Sequence, residues 1–310
     1  MELYKHTDSA AILKNLLPPK GAVDIVLDTD AANDIDDQFA IAYIMKSRNK
    51  INLKAIYAAP FFAPLINEKS ASAADGMEKS YDEIMKVLSL MGEYAPAYKG
   101  AVEFLPSIDM PIVSSASSHL ADFAMSYSIE NPLYVVSIAS LTNIASAILQ
   151  CPDIAERIVV LWLGGHARHW PDTREFNLMQ DILAARIVYE SGCGIVQFPC
   201  HGILSNLTVS EPELRHWLEG HSSICDYLVY NTIDEARKYA EGRPWSRPIW
   251  DIAPAAWLID PSFFFSSIEK KPTILSEGYY AYRENPHFMR YIYYAHRDQI
   301  IYNLFEVLRG

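Results

Sequence analysis

Over the first two thirds of the chain, short apolar runs alternate with segments whose apolar residues return every three to four positions. Residues 23–28, VDIVLD, have strand length, and a helical period follows over 38–48. Residues 52–58 repeat the strand pattern, and Ile84, Val87, Leu88 and Met91 stand at i, i+3, i+4 and i+7, one face of a helix. The alternation continues through a strand at 133–139 and a helix from Leu141, then a strand at 158–163 closed by Gly164 and Gly165. A helix over about 180–191 and a strand at 194–198 follow. Strands alternating with helices predict βαβ units, hence an α/β fold with a mostly parallel central sheet and flanking helices, Rossmann-like in architecture.

The texture changes after residue 210. Ser210-Glu-Pro-Glu opens a helix, with a capping residue and with proline and acidic side chains in the first turn, and helical periodicity dominates to about residue 241. GRPWSRP (242–248) reads as a proline-rich turn before the apolar segment IWDIAPAAWLI (249–259), so helical additions are expected at the C-terminal end. The longest stretch without periodicity, 60–76, is a candidate active-site loop, because long structureless loops in compact domains are usually functional. The chain shows no internal repeat, and 310 residues suit one domain spanning 1–310.

A net charge of −12 argues against nucleic acid or an anionic membrane surface as partner, since both require a basic face. A neutral small molecule or a bound cation fits better. No run of 18 apolar residues suggests a membrane span, and residues 1–20 lack the apolar core of a secretion signal. Cys151, Cys193, Cys200 and Cys225 form no CxxC pair and read as small buried hydrophobes in a reducing cytoplasm.

One decapeptide demands a chemical explanation. DTDAANDIDD (28–37) places five carboxylates where the strand at 23–28 ends, and in open α/β sheets ligands gather at the carboxyl ends of strands. Asp28, Asp30, Asp34, Asp36 and Asp37 repel one another unless a cation, a helix terminus or water takes up the charge. Helix capping accounts for Asp36 or Asp37 alone. A hard divalent cation, which wants several oxygen ligands, accounts for more of them. An EF-hand loop counted from Asp28 would need glycine and glutamate where Asn33 and Phe39 stand. A haloacid-dehalogenase-like phosphatase would use Asp28 as nucleophile and Asp30 as acid/base, but no matching late lysine or acidic metal motif is evident.

The segment VLDTDAANDIDDQFAIAYIM resembles the N-terminal signature of the inosine-uridine-preferring nucleoside hydrolases, calcium-dependent N-ribohydrolases. YKGA (98–101), SLTNIASAI (140–148), WLGG (162–165) with EFN (175–177), and WDIAPAAWLI (250–259) resemble later family segments in the same order, so the likeness covers roughly residues 22–308. The resemblance implies hydrolysis of a ribonucleoside to base and ribose, with calcium held by Asp30, Asp37, the Thr142 carbonyl and Asp251. It implies Asp30 as general base for the attacking water, Asp28 as its support, and Asp36, Glu175 and Asn177 as contacts to the ribose. Asn67 stands in for a loop asparagine that contacts the sugar, and Phe61 and Phe62 are candidate stackers for the base. Many members carry histidine where this chain has Trp250; the Trp-Asp pair resembles the purine-preferring branch, in which the indole stacks on the base. His166, His169 and His287 are weaker candidates for the pocket mouth. The resemblance also implies a homodimer or homotetramer. A non-catalytic nucleoside binder that kept fold and metal is the remaining alternative.

Overall fold

A computed structural model describes residues 9–64, 69–282 and 287–310. Twelve strands are described: β1 Val23–Thr29, β2 Ile51–Ala58, β3 Ala97–Lys99, β4 Leu133–Ser137, β5 Ile158–Leu163, β6 Gly194–Phe198, β7 Thr208–Val209, β8 Arg247–Pro248, β9 Phe264–Lys270, β10 Thr273–Ile274, β11 Tyr280–Ala281 and β12 Phe288–Ala295. The helices are α1 Ser9–Asn15, α2 Asp37–Lys46, α3 Ala73–Met91, α4 Ser115–Ala124, α5 Thr142–Gln150, α6 Phe176–Gln180, α7 Ile182–Glu190, α8 Glu211–Leu218, α9 Ser223–Ala240, α10 Ile252–Ile259 and α11 Arg297–Arg309.

Eight strands form one sheet in the order β3-β2-β1-β4-β5-β6-β12-β9. All pairs in it are parallel except β12 with the edge strand β9. Every residue of β4, β5 and β6 is buried, as expected for parallel strands covered on both faces. The period-two alternation divides the core: Ile25 and Leu27 join the apolar cluster of α2, α9, α10 and α11, whereas Val26 joins that of α4, α5 and α7. After β1 the chain moves outward to β2, whereas β4 lies on its other side, so the sheet's topological switch point falls between β1 and β4. The acidic decapeptide begins there, and the strand ends diverge to leave a crevice.

The α/β reading therefore holds, with the helical additions α8 to α11 in place. Ser210 and Glu213 form the capping box expected at the start of α8. Two features were not foreseen. The expected helix over about 180–191 is α7, but a separate short helix, α6, precedes it across a break at Asp181, whose carboxylate accepts Ala184 N (2.9 Å), Leu105 N (3.0 Å) and the Thr142 hydroxyl (2.8 Å). The C-terminal third also contributes β9 and β12 to the sheet. β9 leaves Phe265 and Ile268 exposed among Ser266, Ser267, Glu269 and Lys270, so it lacks the continuous apolar signature of a buried strand.

Candidate active site

β1 delivers Asp30 at its carboxyl end, and a tight turn leads to Asp37 as the first residue of α2. The turn is fixed by bonds from Asn33 N to Asp30 O (2.7 Å), Ile35 N to Asp34 Oδ1 (2.8 Å) and Gln38 Nε2 to Ala31 O (2.7 Å). The Thr29 hydroxyl donates to Asp37 Oδ1 at 2.5 Å. From the far end of the chain Asp251 arrives just before α10, and its backbone N–H donates to Asp36 Oδ2 at 3.3 Å. Carboxylate oxygens of Asp36, Asp37 and Asp251 lie within 4.8 Å of one another, and all three residues are buried. Asp30 is buried beside them, and its Oδ2 has no hydrogen-bond partner.

The opposite wall is built around Glu175. Its carboxylate caps α6, accepting Asn177 N (2.8 Å) and Leu178 N (3.2 Å), and also takes Gly165 N (2.8 Å). Gly165 is needed there: its φ is +71°, and a Cβ would meet the Tyr280 hydroxyl at 1.9 Å. The Asn177 amide donates to Leu163 O at 3.1 Å, which holds the side chain at the end of β5. Asp30, Asp36, Asp37, Glu175, Asn177, Trp250 and Asp251 all line one cavity of about 350 Å³.

Asp28 lies below this cavity. Its carboxylate accepts Asn143 Nδ2 (2.8 Å) and the Ser137 hydroxyl (3.3 Å), while Asn143 Oδ1 accepts Ala101 N (2.8 Å). A Cβ at Gly100 would strike Ala58 O at 2.1 Å and Asn143 Nδ2 at 2.5 Å. The YKGA and SLTN segments thus brace the floor beneath the acidic turn.

Burial dominates the electrostatics. It pushes Asp30, Asp37 and Asp251 well above the usual carboxylate range, and the neighbouring carboxylates add to the effect. It raises Asp36 to about 6, with Asp34 contributing, and Asp28 to about 7 against the pull of its two donors. Glu175 is also raised by burial, partly offset by its three backbone donors. Buried carboxylates converging without a cation among them are strained electrostatically, and an all-oxygen donor set with an unpartnered Asp30 Oδ2 suits a hard divalent ion. Lys69 and Arg247 also line the cavity, but they bond to the turn itself, at Asn33 O and at Asp34 Oδ1 respectively.

Trp250 lines the cavity with its indole N–H buried and unpartnered. It meets His201 edge-on (4.9 Å between centroids, 81°); His201 in turn stacks on Trp170 (5.3 Å, 14°) and lies 4.8 Å from His166. Burial, with the nearby His201, lowers His166 to about 4. His169 approaches Gly202 on the same turn, whereas the His287 carbonyl bonds Lys271 N at the distant antiparallel strands.

Phe61, Phe62 and Thr142 are not brought to the cavity. Phe61 is fully buried and does not line it, so it serves as a packing residue rather than a stacker; Phe62 is exposed beside Gln180 and also stands outside the lining. Thr142 begins α5 with its hydroxyl on Asp181, and that segment lines the cavity earlier, at Ile138, directly after β4. Asn67 lies outside the described residues. Ile138, Leu163 and Cys200 at the carboxyl ends of β4, β5 and β6 line the cavity without having been singled out; their position at strand ends was the available signal.

A mostly parallel sheet with a polar cavity and converging carboxylates at its switch point is the framework of a small-molecule site. The chain belongs to the inosine-uridine preferring nucleoside hydrolase family, whose sequence model matches residues 25–282, and is a hydrolase acting on N-glycosyl compounds. It is 23% identical over 291 residues to the pyrimidine-specific ribonucleoside hydrolase RihA of Escherichia coli, covering 84% of this chain and 86% of that one. Its fold matches the purine-preferring ribonucleoside hydrolase of Gardnerella vaginalis with a TM-score of 0.71 at 17% identity, covering 93% and 98% of the two chains. An inosine-uridine preferring nucleoside hydrolase from Bacillus anthracis matches with a TM-score of 0.65 at 16% identity, covering 93% and 99%. Among the described residues no helix is long and apolar enough to cross a membrane.

Proposed function

We propose that this chain cleaves the N-glycosidic bond of ribonucleosides, releasing free base and ribose, with calcium in its carboxylate cluster. The observation that carries the reading is the convergence of Asp36, Asp37, Asp251 and the unpartnered Asp30 in one cavity with Glu175 and Asn177. Asp30, Asp37 and Asp251 would hold the ion, with the Ile138 backbone in the place expected of Thr142. A divalent ion there would neutralise the cluster, acidify a water and grip ribose hydroxyls.

The side chains supply the rest. Cleavage passes through an oxocarbenium-like state, so negative charge near the anomeric carbon stabilises it. Asp30 Oδ2, with no protein donor of its own, accepts the proton of the attacking water. Asp36, Glu175 and Asn177 hold the sugar hydroxyls; the backbone bonds that fix Glu175 keep it in place for that contact. Trp250 stacks on the base, a contact worth about 1–3 kcal/mol.

The test is incubation with inosine, adenosine, uridine and cytidine in calcium and in EDTA, followed by reducing-sugar measurement. Calcium-dependent release of ribose is expected. Ribose binding without release from any nucleoside would instead support a binding protein that lost turnover. Family membership supports a homodimer or homotetramer, measurable by sedimentation, and four unbonded cysteines support a reducing, cytoplasmic setting.

A further inference from the structure

The acidic turn and the arm carrying Trp250 and Asp251 are joined by an ion pair that does not belong to the carboxylate cluster. Arg247 Nη2 donates to Asp34 Oδ1 at 2.6 Å. Both partners are themselves anchored. Asp34 Oδ1 also accepts Ile35 N, and the Asp34 carbonyl accepts Gln38 Nε2 at 3.3 Å, so the carboxylate is rigid relative to α2. Arg247 sits on β8, paired with Val209 of β7; its guanidinium lies 5.6 Å from the centre of the Tyr239 ring, and Ile249 N bonds Leu207 O. Only Pro248 and Ile249 separate Arg247 from Trp250.

The other direct polar ties between the two ligand-bearing segments run through the carboxylate cluster itself: the long bond from Asp251 N to Asp36 Oδ2, and side-chain contacts of Asp251 with Asp36 and Asp37. We propose that the Asp34–Arg247 pair is a strut that sets the spacing between Asp37 and Asp251, and that Asp34 and Arg247 are positioning residues for the divalent ion. The inference rests on the metal reading above. A partly exposed ion pair adds little to global stability, so the strut acts on the geometry of the site rather than on the fold.

Charge and geometry make opposite predictions here, which gives the test its sign. Arg247 places a positive charge at the rim of a cation site, so by Coulomb's law alone Arg247→Gln should tighten calcium binding, roughly two- to fivefold. Loss of the strut should instead weaken it by roughly tenfold, the range seen when supporting groups of a metal site are removed. The measurement is calorimetric titration of CaCl2 into the metal-stripped full chain.

Arg247→Gln is expected to bind calcium more weakly, with a melting temperature in EDTA close to that of the unaltered chain. Arg247→Lys, which keeps the charge and loses the forked geometry, is expected to fall between them, and it decides the matter if the glutamine variant does not fold. Adding Asp34→Asn to Arg247→Gln should cost less than the two single effects together, because the same strut is lost once. Equal or tighter calcium binding by Arg247→Gln, or strictly additive effects, overturns the strut alone. No calcium uptake by the unaltered chain would overturn the metal reading and the strut with it.

Discussion

Asp30→Asn separates catalytic from structural roles most sharply, because it should move activity and metal-free stability in opposite directions. Asn has nearly the same shape as Asp but carries no charge, cannot act as the base and is a poorer ligand. As a general-base loss this lowers turnover by about 10²- to 10⁴-fold, or about 2.7–5.4 kcal/mol of barrier. In the folded chain Asp30 is 2% exposed, its Oδ2 has no partner, and burial and Asp37 oppose its ionisation. Removing a buried, unsatisfied acceptor from repelling neighbours relieves about 1–3 kcal/mol, a rise of a few degrees in melting temperature for a chain of this size. The variant should therefore melt higher than the parent in EDTA and lower in calcium, where the parent gains more from ligation. Ribose release from inosine and uridine measures the first effect; melts in EDTA and in CaCl2 measure the second. Near-parental turnover, or a lower melting point in EDTA, would refute the reasoning.

Further outcomes follow from the same geometry. Trp250→Ala should raise KM by about 5- to 160-fold, the loss of a stacking contact, and more for purine than for pyrimidine nucleosides; equal losses would remove it from the base site. Asp36, raised to about 6, and the more strongly raised Asp30, Asp37 and Asp251 bind protons in the folded chain that the unfolded chain releases near pH 4. Metal-free stability should therefore fall as pH rises from about 4 through 6 and beyond, and the stabilisation by calcium should grow over that span; a pH-independent calcium effect in thermal melts would contradict this. Phe61→Ala should cost about 3–5 kcal/mol of stability in denaturant titrations with little change in KM, whereas a raised KM at unchanged stability would return Phe61 to the cavity.

The strands that carry the site were legible because parallel strands buried on both faces leave continuous apolar runs, as in residues 158–163. The antiparallel edge was not, since Phe265 and Ile268 face solvent among polar neighbours and the pattern there resembles any mixed surface. Acidic clustering marked Asp30, Asp36 and Asp37, and ordered motifs marked Glu175, Asn177, Trp250 and Asp251, all of which line the cavity. What stayed hidden depended on partners distant in the chain. Nothing local shows that Asp181 would take the Thr142 hydroxyl, that Phe61 would be packed away, or that Arg247 would cross to Asp34.

The contact between Asp36 and Asp251 joins residues 215 positions apart. During synthesis, β1 and its acidic turn leave the ribosome long before the last carboxylate is made. Until then the nascent chain holds an open, self-repelling hook, and proton uptake is its means of relief. A metal ion held by this cluster would accordingly be taken up only after residue 251 has been made, and a product cut short before that residue keeps the repulsion without the means to close the cage.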